Sequence, residues 1–296
     1  MESTSRFILG IVAGVASATA INLGLVLQKL AVARGGAGPL FPRLLRDRRW
    51  LAGFALQLAL GAPLNLAAVG LLGPALVPGV MASGLVVLAL ASAHWGGERI
   101  GAREALGIGA IMAAVAAIGA SGLAVDVFAR NPAGTELLGR SALMAAAMVA
   151  LGSLVPLVSA ASGRARGAGS HAIALAVASG AWMALSNFAL GVAQGSAAWL
   201  GSGPAATASL AVSALAVLAA NVFAVAQIQG AFVSGKASAV VPVQQVPIQI
   251  FPPLVFFFVY APFAPSDLSL ALVGIGVVLV LAGAWLLARG GEASAG

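Results

Sequence analysis

Nine long apolar runs dominate this 296-residue sequence, and they constrain its fold more than any other feature. Each run is about 19–25 residues long, the length that a helix needs to cross about 30 Å of hydrocarbon. The runs fall at 7–31, 50–71, 74–93, 104–122, 139–160, 171–194, 205–229, 239–260 and 267–288. Because backbone polar groups in lipid must be satisfied within the protein, the sequence predicts an all-α polytopic membrane protein with about nine transmembrane helices.

The composition agrees with this prediction. Hydrophobic residues make up 61% of the chain and charged residues only 8%, whereas soluble globular proteins are about 25% charged. The 38 glycines and the many alanines favour close packing of helices in lipid. The absence of cysteine excludes disulfides, thiolate metal sites and cysteine nucleophiles.

The basic residues predict the orientation of the spans. Of the fifteen Lys and Arg residues, twelve fall in alternate connections on one side, whereas the other side carries only Arg6, Arg130 and Arg140. The positive-inside rule then places the N-terminus outside and the C-terminus in the cytoplasm, as in an integral protein of the cytoplasmic membrane. Since topology accounts for the basic charge, the lipid bilayer is an expected partner and nucleic acid is not.

The first apolar run is expected to be an uncleaved span. Arg6 and the apolar residues after it resemble a signal peptide, but the run continues to Val32 and basic residues follow it. Those residues would hold its C-terminal end in the cytoplasm, which is opposite to the orientation of a secretory signal.

An internal repeat links the third and fourth spans to the last two. Two pairs of segments carry it: ALVPGV (75–80) with AVVPVQ (239–244), and LGIGAI (106–111) with VGIGVV (273–278). The alignment pairs Pro78 with Pro242, Gly107 with Gly274 and Gly109 with Gly276. Because the third and eighth spans enter the membrane in opposite directions, the sequence predicts two unequal inverted repeats. Residues 1–122 would form four helices and residues 139–289 five, as in transporters whose substrate site lies near the midplane.

This layout resembles the drug/metabolite transporter superfamily, and within it the NIPA-type proteins associated with magnesium transport. Two segments carry the resemblance, LGAPLNLAAVGLLGPALVPGVMASGLVVLALASAHWGGERIGAREALGIG (60–109) and AQIQGAFVSGKASAVVP (226–242). The GGERIGAREALGIG stretch is similar to a Gly-Glu plus apolar motif that follows the helix hairpin of many members. Nine spans also suit the NIPA-type branch, although Ala62 stands where that pattern has a glutamate.

The ionisable residues are expected in loops, in tails or at span ends. This holds for all eight acids: Glu2, Asp47, Glu98, Glu104, Asp126, Glu136, Asp267 and Glu292. Hydrolytic enzymes need a nucleophile with a base, paired carboxylates or a metal, and divalent cations prefer carboxylate oxygens. We therefore expect no enzyme activity, no cofactor and no metal site built from side chains.

Amides and prolines are the polar features of the spans. The candidate solute-binding residues are Gln57, Asn65, Asn187, Asn221, Gln244, Gln245 and Gln249. Each amide alone fits interhelical hydrogen bonding as well, whereas the set favours a polar cavity. Candidate kink or gate positions are Pro78, Pro242 and Pro247, where passive packing is the alternative. The glutamines of the eighth span are expected to satisfy the carbonyls that its prolines leave without a donor.

An interior rich in amides and without a buried acid favours transport of a small polar, uncharged or zwitterionic solute by alternating access. Two alternatives stay open: NIPA-like transport of magnesium or another divalent cation, and a non-transporting membrane scaffold or lipid-binding protein. The expected partner is thus a small-molecule or ion substrate. Gly10 and Gly14 form a GxxxG motif, which fits ordinary helix packing and leaves a homodimer open.

Overall fold

The computed structural model describes residues 2–35, 39–72, 77–123, 134–161, 163–201, 203–260 and 263–292, and none of them lies in a strand. The first six helices are α1 (Glu2–Ala33), α2 (Leu40–Leu44), α3 (Arg48–Ala55), α4 (Ala62–Leu72), α5 (Val77–Met81) and α6 (Gly84–Gly96). The others are α7 (Ala102–Ala120), α8 (Thr135–Ala161), α9 (Gly163–Ala198), α10 (Pro204–Ser234), α11 (Ala237–Leu254) and α12 (Asp267–Glu292). One π-helical turn, Leu56–Gly61, joins α3 to α4, and another, Val255–Tyr260, extends α11.

The described part of the chain contains eight segments that are long and apolar enough to cross a membrane. They are Phe7–Ala33, Arg48–Ala68, Ala102–Ala120, Glu136–Ala161, Gly169–Ala198, Pro204–Ser234, Ala237–Tyr260 and Asp267–Leu287. The chain is therefore an all-α polytopic membrane protein, as the apolar runs predict.

The third predicted span, 74–93, differs from the expectation of one continuous helix. Its residues 74–76 lie outside the described residues, and the rest is divided between α5 and α6. The Ser83 hydroxyl donates to the Val80 carbonyl at 2.7 Å, which is a local bond that competes with the helical ladder. The break precedes Gly84, where an added Cβ would lie 2.9 Å from the Ala18 carbonyl oxygen of α1. The interrupted helix thus lets two backbones approach closely.

The packing of the helices has a regular pattern. Helix α1 packs against α3, α4 and α6, and α9 packs against α10 and α11 in the same way. Helix α8 lies against α9, and α7 runs alongside α12. This pattern is compatible with the predicted repeats of four and five helices, which remain a prediction.

One glycine of each GIG motif packs between α7 and α12. A Cβ added at Gly107 would meet Leu287, and one added at Gly276 would meet Ile118. By contrast, the corresponding positions at Gly109 and Gly274 face open space. Gly107 and Gly276 are therefore the packed glycines of the two motifs, and the alignment of Gly107 with Gly274 stays a prediction.

The GxxxG motif of α1 packs within its own chain. A Cβ at Gly10 would lie 2.5 Å from a side-chain carbon of Leu72, and one at Gly14 would lie 2.7 Å from a methyl of Val80. The two glycines therefore let α1 approach α4 and α5.

Candidate functional site

A cavity of about 340 Å³ lies between α7, α8, α9 and α11. Its amide side chains are Asn187 of α9 and Gln249 of α11, and Tyr260 adds a hydroxyl. The aromatic part of the lining consists of Phe188, Phe251, Phe256 and Tyr260. None of the described residues around this cavity carries a charge. The lining thus combines a large apolar surface with a few polar groups, as is usual for sites that bind small molecules.

The two cavity amides have no hydrogen-bond partner among the described residues. Asn187 is exposed and Gln249 is half-buried. Pro252 and Pro253 lack an N–H, so they cannot donate to the carbonyls of Ile248 and Gln249 four residues earlier. The Gln249 amide and these backbone carbonyls therefore lie in the wall of the cavity that α11 forms.

The cavity extends from the middle of α9 and α11 toward one end of the bundle. Its lining includes Ile118 and Leu123 at the end of α7 and reaches Tyr260 at the end of the π-helical turn. We call this the open end. The positive-inside rule predicts that it faces the exterior.

The remaining candidate amides lie elsewhere in the bundle. Three of them hydrogen-bond other groups: Gln57 donates to the Ile21 carbonyl at 3.4 Å, Asn221 to the Ser186 hydroxyl at 2.7 Å, and Gln244 to the Ser179 hydroxyl at 2.9 Å. Asn65 has a buried carbonyl oxygen without a partner among the described residues, and Gln245 is half-buried. The cavity therefore brings together two of the seven predicted amides, Asn187 and Gln249.

Pro247 of α11 is buried where this helix crosses α9. A Cβ added at Gly180 would lie 2.9 Å from Cδ of Pro247 and would also meet the carbonyl oxygen of Gln244. Pro242 is likewise buried, whereas the side chain of Pro78 in α5 lies outside the described residues. The expectation that the glutamines satisfy carbonyls of their own helix is wrong for Gln244, because its amide bonds α9 instead.

The opposite end of the bundle is held by charged side chains, of which Glu98 makes the clearest contact. Its carboxylate oxygens accept hydrogen bonds from the backbone N–H groups of Ala237 at 2.8 Å and Ser238 at 3.0 Å. These are the first residues of α11, whose N-terminal N–H groups have no partner within the helix. A carboxylate at this position is favoured by both hydrogen bonding and the helix dipole.

Lys29 makes the complementary contact at the end of α10. Its ammonium donates to the carbonyl of Phe232 and, at 2.6 Å, to that of Gly235. A cation is favoured there because the last carbonyls of a helix are unpaired and carry partial negative charge. The charge pattern of the sequence places Lys29 in a connection, but it belongs to α1 and points into the bundle.

An ion pair ties the turn between α10 and α11 to α7. The ammonium of Lys236 lies 3.1 Å from a carboxylate oxygen of Glu104, whose other oxygen accepts the Gly101 N–H at 3.1 Å. The expectation that the interior holds no acid is wrong for Glu104, which is buried in the first turn of α7. We call Lys29, Glu98, Glu104 and Lys236 the clamp.

A pair of buried glutamines lies beside the clamp. The Gln229 amide donates to the Gln28 side-chain oxygen at 2.6 Å, and both side chains are buried. This bond joins α1 to α10 next to Lys29. Neither glutamine is among the predicted binding residues, and Gln28 lies near the end of its span, next to Lys29.

Comparisons with known proteins add no family to this geometry, since no protein-family model, curated protein or solved structure matches the chain. Within the described residues, no group of three or more His, Cys, Asp or Glu side chains could hold a metal ion. The cavity and the clamp are therefore the features of the described residues that point to a function.

Proposed function

We propose that the protein is a membrane transporter of the drug/metabolite type, which moves a small neutral or zwitterionic polar solute by alternating access. One observation carries the proposal: the two ends of the same helix bundle are unlike. A cavity with unpartnered amides reaches one end, while charged and backbone contacts close the other end. An alternating-access carrier caught in one of its two states has this asymmetry.

The clamp has the features of a closure that can be reversed. It lies near the ends of helices. Its bonds through Lys29, Glu98 and the Lys236–Glu104 ion pair join α10, α11 or the turn between them to elements from the first half of the chain. Its groups can be rehydrated when they separate, because Lys236 and Glu98 are only partly buried. A moderate energy is therefore enough to open it, unlike a packed apolar core.

A bound solute would supply part of this energy. A solute shifts a conformational equilibrium only if it interacts differently with the two states. Closure of the cavity around a solute would satisfy the amides of Asn187 and Gln249, which have no protein partner in the open-cavity state. That gain offsets the cost of separating the clamp.

The test is flux into proteoliposomes, measured with a panel of neutral and zwitterionic metabolites and with Mg²⁺. We expect movement of an organic solute, and we expect Gln249→Leu and Asn187→Leu to reduce its rate by at least tenfold. The matched control is Gln244→Leu on the same helix, which loses a bond to α9 but lies outside the cavity lining.

Three other results would contradict the proposal. Organic flux that is unaffected by both cavity substitutions would contradict the site. Flux of Mg²⁺ without any organic solute would favour the NIPA-like alternative. No movement of any member of the panel would favour a scaffold or lipid-binding protein.

A further inference from the structure

A second hollow lies on the outer surface of the bundle at the same depth as the cavity. This groove of about 400 Å³ is formed by α8, α9 and α10. Its described lining consists of Ala, Leu, Val, Phe and Ser side chains, with no charged residue among them. Leu138 and Val212 in its walls are exposed, so the groove faces away from the bundle interior. In a bilayer this surface is in contact with lipid tails.

One side chain, Phe188 of α9, lines both spaces. The neighbouring residues of α9 line one space or the other. The cavity is lined by Ala184, Asn187 and Gly191. The groove is lined by Leu185, Ala189 and Val192. Phe188 is half-buried and packs at the edge of the cluster of apolar side chains that contains Met148. The side chain of Phe188 therefore borders both the lipid-facing groove and the cavity.

The cavity and the groove both offer apolar surface together with a few polar groups. The cavity offers the aromatic faces of Phe251 and Phe256 beside its two amides, which suits a molecule with an apolar body and a polar head. The groove offers an apolar channel with hydroxyls from Ser141, Ser209 and Ser213. Such a molecule partitions into the bilayer, onto which the groove opens.

We propose that the groove is a lateral entrance and that Phe188 is its gate. The occupant is an amphiphile whose alkyl or aryl part lies in the groove and passes Phe188 into the cavity, while its polar end meets Asn187 and Gln249. This inference rests on the proposed transport function and narrows its substrate class from polar solutes to neutral amphiphiles. Phe188 is then a specificity-determining residue, because its size sets what can pass from the membrane.

The test exploits the absence of cysteine from the chain. A Gln249→Cys variant places a thiol on the cavity wall formed by α11, across from α9. In liposomes this thiol is treated separately with N-dodecylmaleimide, which enters from the membrane, and with a charged methanethiosulfonate, which enters from water. The measured quantity is the ratio of the two modification rates.

In the Gln249→Cys background, Phe188→Ala should raise the ratio of dodecylmaleimide to methanethiosulfonate rates by about tenfold, equivalent to about 1.4 kcal/mol. Phe188→Trp should lower this ratio, so the two variants give opposite signs that a folding defect cannot produce. The matched control is Phe256→Ala, which removes an aromatic ring from the cavity lining but not from the groove. It should leave the ratio within about twofold of its starting value.

An unchanged ratio in both Phe188 variants would overturn the lateral entrance, as would equal changes for both reagents. The measurement needs no flux, so its result is separate from that of the transport assay. Solute flux with an unchanged ratio would support transport and contradict the lateral entrance. A shifted ratio without flux would support the entrance and contradict transport.

Discussion

The two halves of α11 are held in different ways. Every residue from Ala237 to Gln244 is buried, the first two N–H groups are capped by Glu98, and the Gln244 amide bonds α9. From Gln245 onward the helix carries two glutamines without a hydrogen bond among the described residues and the Pro252–Pro253 pair. The first half bonds neighbouring elements through its first two N–H groups and the Gln244 amide, whereas the second half lines a cavity with the amide of Gln249, which bonds no described residue.

This difference shows which part of α11 carries polar groups without a hydrogen-bond partner among the described residues. An amide that lines a cavity without a protein partner is available to a ligand, so we expect the second half of α11 to supply the binding group. The first half, which bonds Glu98 and α9, is the place where bonds must break if the bundle changes state. The substitutions below test each half, from the largest expected effect to the smallest.

Loss of Glu98 should have the largest effect. Glu98→Ala removes two charge-assisted hydrogen bonds from the start of α11. It should destabilise the closed clamp relative to the open one by about 3 kcal/mol. We expect a thiol at Ser238→Cys, whose native hydroxyl is buried and has no partner among the described residues, to become reactive toward a charged reagent in this variant. Glu136→Gln, in an exposed ion pair with Arg140, is the control and should leave the thiol protected.

Gly180→Ala should disturb the crossing that divides the two halves. The added methyl group meets the Gln244 carbonyl and Pro247, so α9 and α11 must separate at a cost of about 2 kcal/mol. Thermal unfolding of the purified protein measures this cost. Gly109→Ala is the matched control, because its Cβ would face open space. Equal melting temperatures for the two variants would contradict the close crossing.

Lys29→Met should weaken the clamp less than Glu98→Ala. It removes the cation from the end of α10 but retains an apolar stem, and a charge at a helix terminus contributes about 1 kcal/mol. Reactivity of the Ser238→Cys thiol should rise by roughly fivefold. Arg34→Met, which removes an exposed charge at the end of the same helix, should change it little.

The smallest expected effect compares two glutamines of α11. Gln244→Leu removes an interhelical bond and should lower stability by about 0.6 kcal/mol without abolishing flux. Gln249→Leu removes no bond to a described residue, so it should leave the melting temperature unchanged while flux falls. If Gln249→Leu destabilised the protein as much as Gln244→Leu does, the contrast between the two halves would fail.

The sequence predicts the fold class well because the length and spacing of apolar runs follow directly from bilayer thickness. It predicts a continuous third span, because hydropathy does not register the bond between Ser83 and Val80 or the approach of Gly84 to α1. Composition likewise cannot tell which of the two glycines in LGIGAI (106–111) packs against α12. Only the contacts distinguish Gly107 from Gly109.

The candidate site is predicted in part. A search for amides within spans finds Asn187 and Gln249, but it also finds Gln244 and Asn221, since residue type and helical face do not reveal whether a partner lies across the interface. The clamp escapes prediction for a different reason. Lys29 and Glu98 are ordinary end-of-span charges in the sequence, and their role depends on helix ends about 140 to 200 residues away along the chain.

The most direct test of the account measures access to both halves of α11 in the same oriented vesicles. Single thiols at Gln249→Cys and at Ser238→Cys are exposed, without solute, to a charged reagent added from one side at a time. The account predicts that the Gln249→Cys thiol reacts from the external side only and that the Ser238→Cys thiol is protected from both sides. Rapid modification of the Ser238→Cys thiol from the cytoplasmic side, with the Gln249→Cys thiol unreachable from outside, would contradict it.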